Sequence, residues 1–268
     1  MSALRGASFA NFRSLSEIHD LWLPEAIFYE ALTTDSAKNR AKCFALIQHT
    51  ARRPSLTTNT GKLLALELQQ RLPIDPVSGD WSGVTWPWHK SLADEANDLG
   101  EFASLINPWK NQIRQNILAF TGVVSDVTAK FPSLGNLKGG GTYGDVEDLL
   151  QLVASQPSFT REVYSAVVGA DGPAAEEIGP EWMAFRVFQA AFLNAIEHAR
   201  KYGGAMAGTT IPKQVENSYL DMEYMTIATF ADGIISADSR LVDLHKMLKV
   251  DTRVFTSIRE ALFLSCGA

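Results

Sequence analysis

The sequence predicts an α/β fold, in which a parallel sheet flanked by helices is interrupted by a large all-helical insertion. Three observations carry this. The first seventy or so residues alternate helical patterns with short apolar runs, as a parallel sheet wrapped in helices does. From Pro73 to about residue 205, strand-type alternation is scarce and helical spacing dominates. After Gly203-Gly204 the strand–helix alternation returns. The α/β core is therefore assigned to residues 1–72 plus 206–268, and the helical insertion to 73–205.

Ala7 to Ile18 reads as a first helix, with Phe9, Phe12 and Leu15 at helical spacing. Leu21-Trp22-Leu23 is a brief apolar run ended by Pro24, which suits a strand followed by a helix with proline in its first turn. That helix, PEAIFYEAL, carries Glu30. Ser36 is an N-cap type residue ahead of a helix from Ala37 to about Ala51, broken by Arg52-Arg53-Pro54. Ser55 to Thr58 fits a short strand, and Gly61 to Leu72 another helix. Residues 73 to about 90 form a loop rich in Gly, Pro and Trp. Helices are then expected over Lys90–Leu105, Pro108–Phe131, Asp145–Ser155, Ser158–Val168 and Pro180–Tyr202, with a flexible connection around Gly139-Gly140-Gly141. The last part holds the unit Glu216–Asp238, a helix to Leu248 and a strand candidate Arg253–Thr256.

Composition narrows the class. Of 268 residues, 46% are hydrophobic, enough for a full core without disulfides. The net charge of −6 advertises no general affinity for nucleic acid, although a local basic patch can act on an acidic protein. Cys43 and Cys266 match no metal or redox spacing, and a reducing cytoplasm is the expected compartment. No signal peptide and no bilayer-length apolar run is evident, so no membrane partner is expected. The glycine run is not a phosphate loop, because no Lys-Ser/Thr comes after it. Serine-nucleophile hydrolysis lacks its Gly-x-Ser-x-Gly marker.

The stretch ENSYLDMEYMTIATFADGIISAD carries the chemistry. Asp221, Met225 and Ala228 share one helical face, and the helix should stop near Asp232-Gly233. Gly233-Ile234-Ile235-Ser236 then fits a buried parallel strand, with Asp238 just past its carboxyl end, where open α/β sheets build their sites. A helix packed beside that strand could bring Asp221 to the same edge. Two carboxylates held together repel unless a proton or cation intervenes, and Mg²⁺ or Mn²⁺ prefers such oxygen ligands. The plainer alternative makes Asp221 a solvated helix residue and Asp238 the N-cap of SRLVDLHKML.

Two blocks resemble the PIN-domain family of metal-dependent ribonucleases, found in many bacterial toxins. LWLPEAIFYEAL is similar to the family's strand, proline and acid-bearing helix, with Glu30 at the acidic position. LDMEYMTIATFADGIISADSRL resembles its helix that begins with Asp, has Ala seven residues later, and leads to a strand ending Ser/Thr-x-Asp; Asp221, Ala228, Ser236 and Asp238 fill those places. The blocks cover about half the chain. The family also starts with a strand ending in Asp, and Met1-Ser2-Ala3-Leu4 is similar to the residues that come just after that Asp. Either an upstream strand exists or the first metal ligand is lost.

The resemblance implies a PIN-like core and a cytoplasmic endoribonuclease dependent on Mg²⁺ or Mn²⁺. Glu30, Asp221 and Asp238 are its implied catalytic metal ligands. Ser236 would orient Asp238 or a water, and Asn217 would support the site or cap the helix start. Arg5 and Arg240 are the implied RNA-phosphate contacts, with Arg52, Arg53 and Lys62 as further candidates. Trp81, Trp86 and Trp88 could stack bases or plug the insertion against the core. Single-stranded or structured RNA, an antitoxin-like protein and a second copy of the chain are the implied partners. The competing reading is a catalytically inactive PIN-like scaffold that binds RNA or protein; a third makes both blocks coincidental in an all-helical interaction protein.

Overall fold

A computed structural model describes residues 7–33, 36–78, 103–130, 143–202 and 213–266. Among these residues the chain is mostly helical, with two short pairs of parallel strands. In order they are α1 (Phe9–Ile18), β1 (Trp22–Pro24), α2 (Glu25–Thr33), α3 (Ala37–Gln48), β2 (Ser55–Thr57) and α4 (Thr60–Gln70). The helices α5 (Ala103–Lys130), α6 (Tyr143–Ser155), α7 (Pro157–Val168) and α8 (Met183–Tyr202) come next. The chain continues with α9 (Lys213–Ala228), β3 (Gly233–Ile235), α10 (Ser239–Leu248), β4 (Arg253–Phe255) and α11 (Ile258–Cys266).

The N-termini explain why these helices start where they do. The backbone N–H of Asn11 donates to Ser8 Oγ at 3.2 Å, that of Asn39 to Ser36 Oγ at 3.3 Å and that of Lys62 to Asn59 Oδ1 at 2.9 Å. Pro157 opens α7, where its missing N–H costs nothing. Pro108, in contrast, does not open its helix: α5 begins at Ala103 and runs through it. α9 begins at Lys213 and so contains Asn217, which is exposed and cannot cap its start. Buried Val215, Tyr219 and Leu220 continue the apolar face on both sides of that asparagine, which keeps the segment helical.

β1 pairs in parallel with β2 (Trp22 opposite Ser55, Pro24 opposite Thr57), and β3 with β4 (Gly233 opposite Arg253, Ile235 opposite Phe255). Gly233 permits the second pairing, because a Cβ there would lie 2.6 Å from the Arg253 carbonyl oxygen. One apolar cluster joins the chain's beginning, middle and end: Phe28 and Phe44, then Ile113, Phe120, Val153 and Leu193, then Leu220, Met225 and Leu244. The described helices of 103–202 therefore share the core built by the flanking segments. No helix among the described residues is long and apolar enough to cross a membrane.

His245 sits in this core on α10, fully buried, with Nε2 3.1 Å from Thr252 Oγ1. Burial, and then the charges of Lys249 and Arg186, push its pKa down from 6.5 to about 4. The unfolded chain binds this proton near pH 6.5 and the folded chain only near 4. The neutral ring's stabilisation is thus present above 6.5 and lost as pH falls to about 4. Across that window His245→Gln should remove up to about 3 kcal/mol of acid sensitivity, read as a flatter pH dependence of its urea midpoint than the parent's.

Candidate functional site

Two helices bring the predicted acids toward each other. α2 comes directly after β1 and carries Glu25 and Glu30; α9 carries Glu216, Asp221, Glu223 and Tyr224. Glu30 meets α9 through Tyr224, whose hydroxyl donates to Glu30 Oε2 at 2.5 Å across 194 positions of sequence. Burial and the neighbouring Glu30 carboxylate raise the Tyr224 pKa well above its ordinary value, and the charge of Asp221 acts in the same direction. Asp221 and Glu30 therefore both act on one tyrosine hydroxyl. Beside Glu30 on α2, burial and the Glu216 carboxylate, about two turns before Tyr224 on α9, raise the Tyr29 pKa, and the Tyr29 and Glu216 side chains hydrogen-bond.

Asp238 is placed differently. Its Oδ1 accepts the backbone N–H groups of Arg240 at 3.0 Å and Leu241 at 3.2 Å, so the side chain caps α10. Its own N–H donates to Ser236 Oγ at 3.1 Å. Ser236 thus orients the Asp238 backbone just beyond β3, while the carboxylate stays exposed. Among the described residues, no group of three or more His, Cys, Asp and Glu side chains is gathered as a metal ion would require. Glu30 and Asp221 are linked through Tyr224, while Asp238 caps α10.

The cationic candidates divide as well. Arg240 forms an ion pair with Glu197, a buried residue of α8, so its guanidinium is drawn inward rather than held out for a phosphate; burial lowers its pKa to about 10. Arg52 lies 3.6 Å from Asp20, and Lys62 3.7 Å from Glu25. Arg53 is exposed. Arg5, Trp81, Trp86, Trp88 and the glycine run at 139–141 lie outside the described residues.

Two further acids, Glu25 and Glu223, are held deep in the fold. Glu25 Oε2 accepts the Asn59 N–H at 2.9 Å, the Asn59 Nδ2 at 3.0 Å and the Thr58 hydroxyl at 3.2 Å. Glu223 accepts the Thr60 N–H at 2.9 Å, the Thr60 hydroxyl at 2.5 Å and the Tyr219 hydroxyl at 2.6 Å. Both carboxylates are buried and aimed at the start of α4, where backbone N–H groups and the helix dipole welcome negative charge. Burial raises the Glu223 pKa, with the nearby Glu25 adding to it and the Thr60 and Tyr219 bonds opposing. These acids serve architecture. The sequence signal for them is an acid flanked by apolar neighbours, as in Met222-Glu223-Tyr224, which requires a buried partner but does not name it. Comparison with known protein families, with curated proteins and with solved structures finds no match for this chain.

Proposed function

We propose that this chain is a PIN-like, metal-dependent endoribonuclease whose carboxylates act on RNA phosphodiesters. The observation that carries the reading is the bond from Tyr224 to Glu30, which ties the first acidic block to the helix bearing Asp221. A bound Mg²⁺ or Mn²⁺ would lower the pKa of a water and neutralise phosphate charge, the chemistry of phosphodiester hydrolysis. Glu30 and Asp221 would supply oxygen ligands from α2 and α9. Tyr224 would hold the Glu30 carboxylate in one orientation through its hydroxyl. Asp238 would join them by turning its free carboxylate oxygen away from the α10 cap, with Ser236 fixing its backbone.

The capping role of Asp238 favours a second reading, a PIN-like scaffold that binds RNA or a protein without cutting. Incubating single-stranded RNA with the protein in Mn²⁺ separates the two. The nuclease reading expects metal-dependent cleavage that falls about 100-fold or more in Asp221→Asn and Asp238→Asn, since even a group behind a metal ligand is worth about 10–100-fold. Cleavage that survives both substitutions, or that needs no divalent cation, removes this reading. RNA retention without cleavage supports the scaffold.

A further inference from the structure

Five helices enclose a cavity on the side of α9 away from Asp221 and Tyr224. Tyr219 and Met222 of α9 line it, and at about 3.6 residues per turn those positions lie opposite Asp221 and Tyr224. α4, α5, α7 and α8 supply the other walls, and α8 packs against each of its four companions. The space measures about 580 Å³. Pockets for small organic molecules span about 300–1,000 Å³, whereas packed interiors leave few voids larger than a water. Small residues keep it open: Gly61, Ala119, Ala166 and Ala191 line it from four different helices, where larger side chains would close it. Its floor is buried at Ala191, Tyr219 and Met222, and its mouth is exposed at Ala119, Glu162 and Ala166.

The walls are mostly apolar and aromatic. Phe159 and Phe192 meet edge to face with centroids 5.3 Å apart, and Phe120 meets Tyr219 at 6.4 Å. Among the described residues no Lys, Arg or His lines the space. Two carboxylates lie near it: Glu162 at the mouth, and Glu223 behind Tyr219, whose hydroxyl donates to it at 2.6 Å. An anion would meet these charges with no cation to answer them. A cation would give up water for an apolar interior, while Glu162 stays solvated at the rim. One donor is unanswered. Asn116 Nδ2 gives one N–H to the Tyr219 hydroxyl at 3.1 Å and its Oδ1 accepts from Gln112 Nε2 at 3.1 Å, but its second N–H has no partner among the described residues.

We propose that this cavity binds an uncharged organic molecule built on an aromatic ring, with an acceptor oxygen at the Asn116 end. Phe120, Phe159, Phe188 and Phe192 offer ring edges and faces to such a ring. The second Asn116 N–H holds the oxygen. Glu30, Asp221 and Asp238 take no part, so this site can fail while the nuclease reading holds, and the reverse.

The test follows binding of methyl 2-naphthoate to the whole protein by calorimetry. The ester should bind saturably, and 2-naphthoate and 2-naphthylmethylammonium about tenfold or more weakly, since each carries a charge into an apolar space. Ala166→Trp, which fills the mouth from an exposed position, should weaken the ester about tenfold or more. Asn116→Leu should weaken it about 2–10-fold, the worth of one neutral hydrogen bond. No saturable binding of the ester, or binding unchanged in Ala166→Trp, overturns the proposal. Tighter binding of either charged analogue, or of methyl decanoate, overturns the ligand class. Should Ala166→Trp not fold, amide chemical shifts of the parent decide: ester-induced changes centred on Ala119, Ala166 and Ala191 support the site, and changes centred elsewhere overturn it.

Discussion

Glu67→Ala should destabilise the protein by about 3–5 kcal/mol, the cost of leaving several buried donors unanswered. Glu67 is fully buried on α4. Its Oε1 accepts the N–H of Met183 at 2.7 Å and of Ile74 at 3.0 Å, and its Oε2 accepts the N–H of Ala184 at 2.6 Å. Met183 and Ala184 open α8, the helix that packs against α5, α6 and α9. One carboxylate from 116 positions away thus caps the start of a 20-residue helix. Glu67→Gln keeps one acceptor oxygen and replaces the other by a donor, so it should lose roughly half as much. Burial raises the Glu67 pKa, although the three N–H groups pull the other way. A carboxyl raised in the fold stabilises fully below its unfolded pKa, and that part is lost as pH rises through the folded value. The parent's advantage over Glu67→Ala should therefore be greatest in mild acid. Urea unfolding at several pH values measures both the loss and its slope.

Glu223→Ala is expected to cost about 2–4 kcal/mol, with the loss located at the junction of α9 and α4. It strands the Thr60 N–H and the hydroxyls of Thr60 and Tyr219, all buried. Tyr219→Phe removes one of these bonds and should cost about 1 kcal/mol. Because the two side chains touch, the double variant should cost less than the sum of the single ones, and the shortfall in a double-mutant cycle is the coupling between them. Burial also raises the Glu223 pKa, so its contribution has the same sign with pH as that of Glu67. His245 runs oppositely, and comparing each variant with the parent separates the three.

Local signals in the sequence placed many elements correctly. Ser36 marked the start of α3, Pro24 lay at the β1–α2 junction, and Gly233-Ile234-Ile235 gave β3. The plainer alternative for Asp238, an N-cap, is what its side chain does. Apolar spacing also drew most helices of the middle region, though not their first turns. The start of α9 was missed because Asn217 resembles a cap while the helix continues behind it on Val215. α11 was not foreseen; Phe263 and Leu264 are exposed there, so its apolar residues do not mark one buried face. The long-range polar ties were illegible for a different reason. Glu67 with Met183, Glu223 with Thr60 and Glu197 with Arg240 are set by packing, and nothing in a window of sequence pairs them. Glu30 was reached only through the resemblance, and its partner Tyr224 was overlooked because tyrosine in a helix reads as core.

Calorimetric titration with Mn²⁺ puts the cation claim to its most direct test. With Glu30, Asp221 and Asp238 serving one ion, the protein should bind Mn²⁺, and Asp221→Asn should abolish the heat. No binding by the parent, or binding unchanged by Asp221→Asn, would contradict the account.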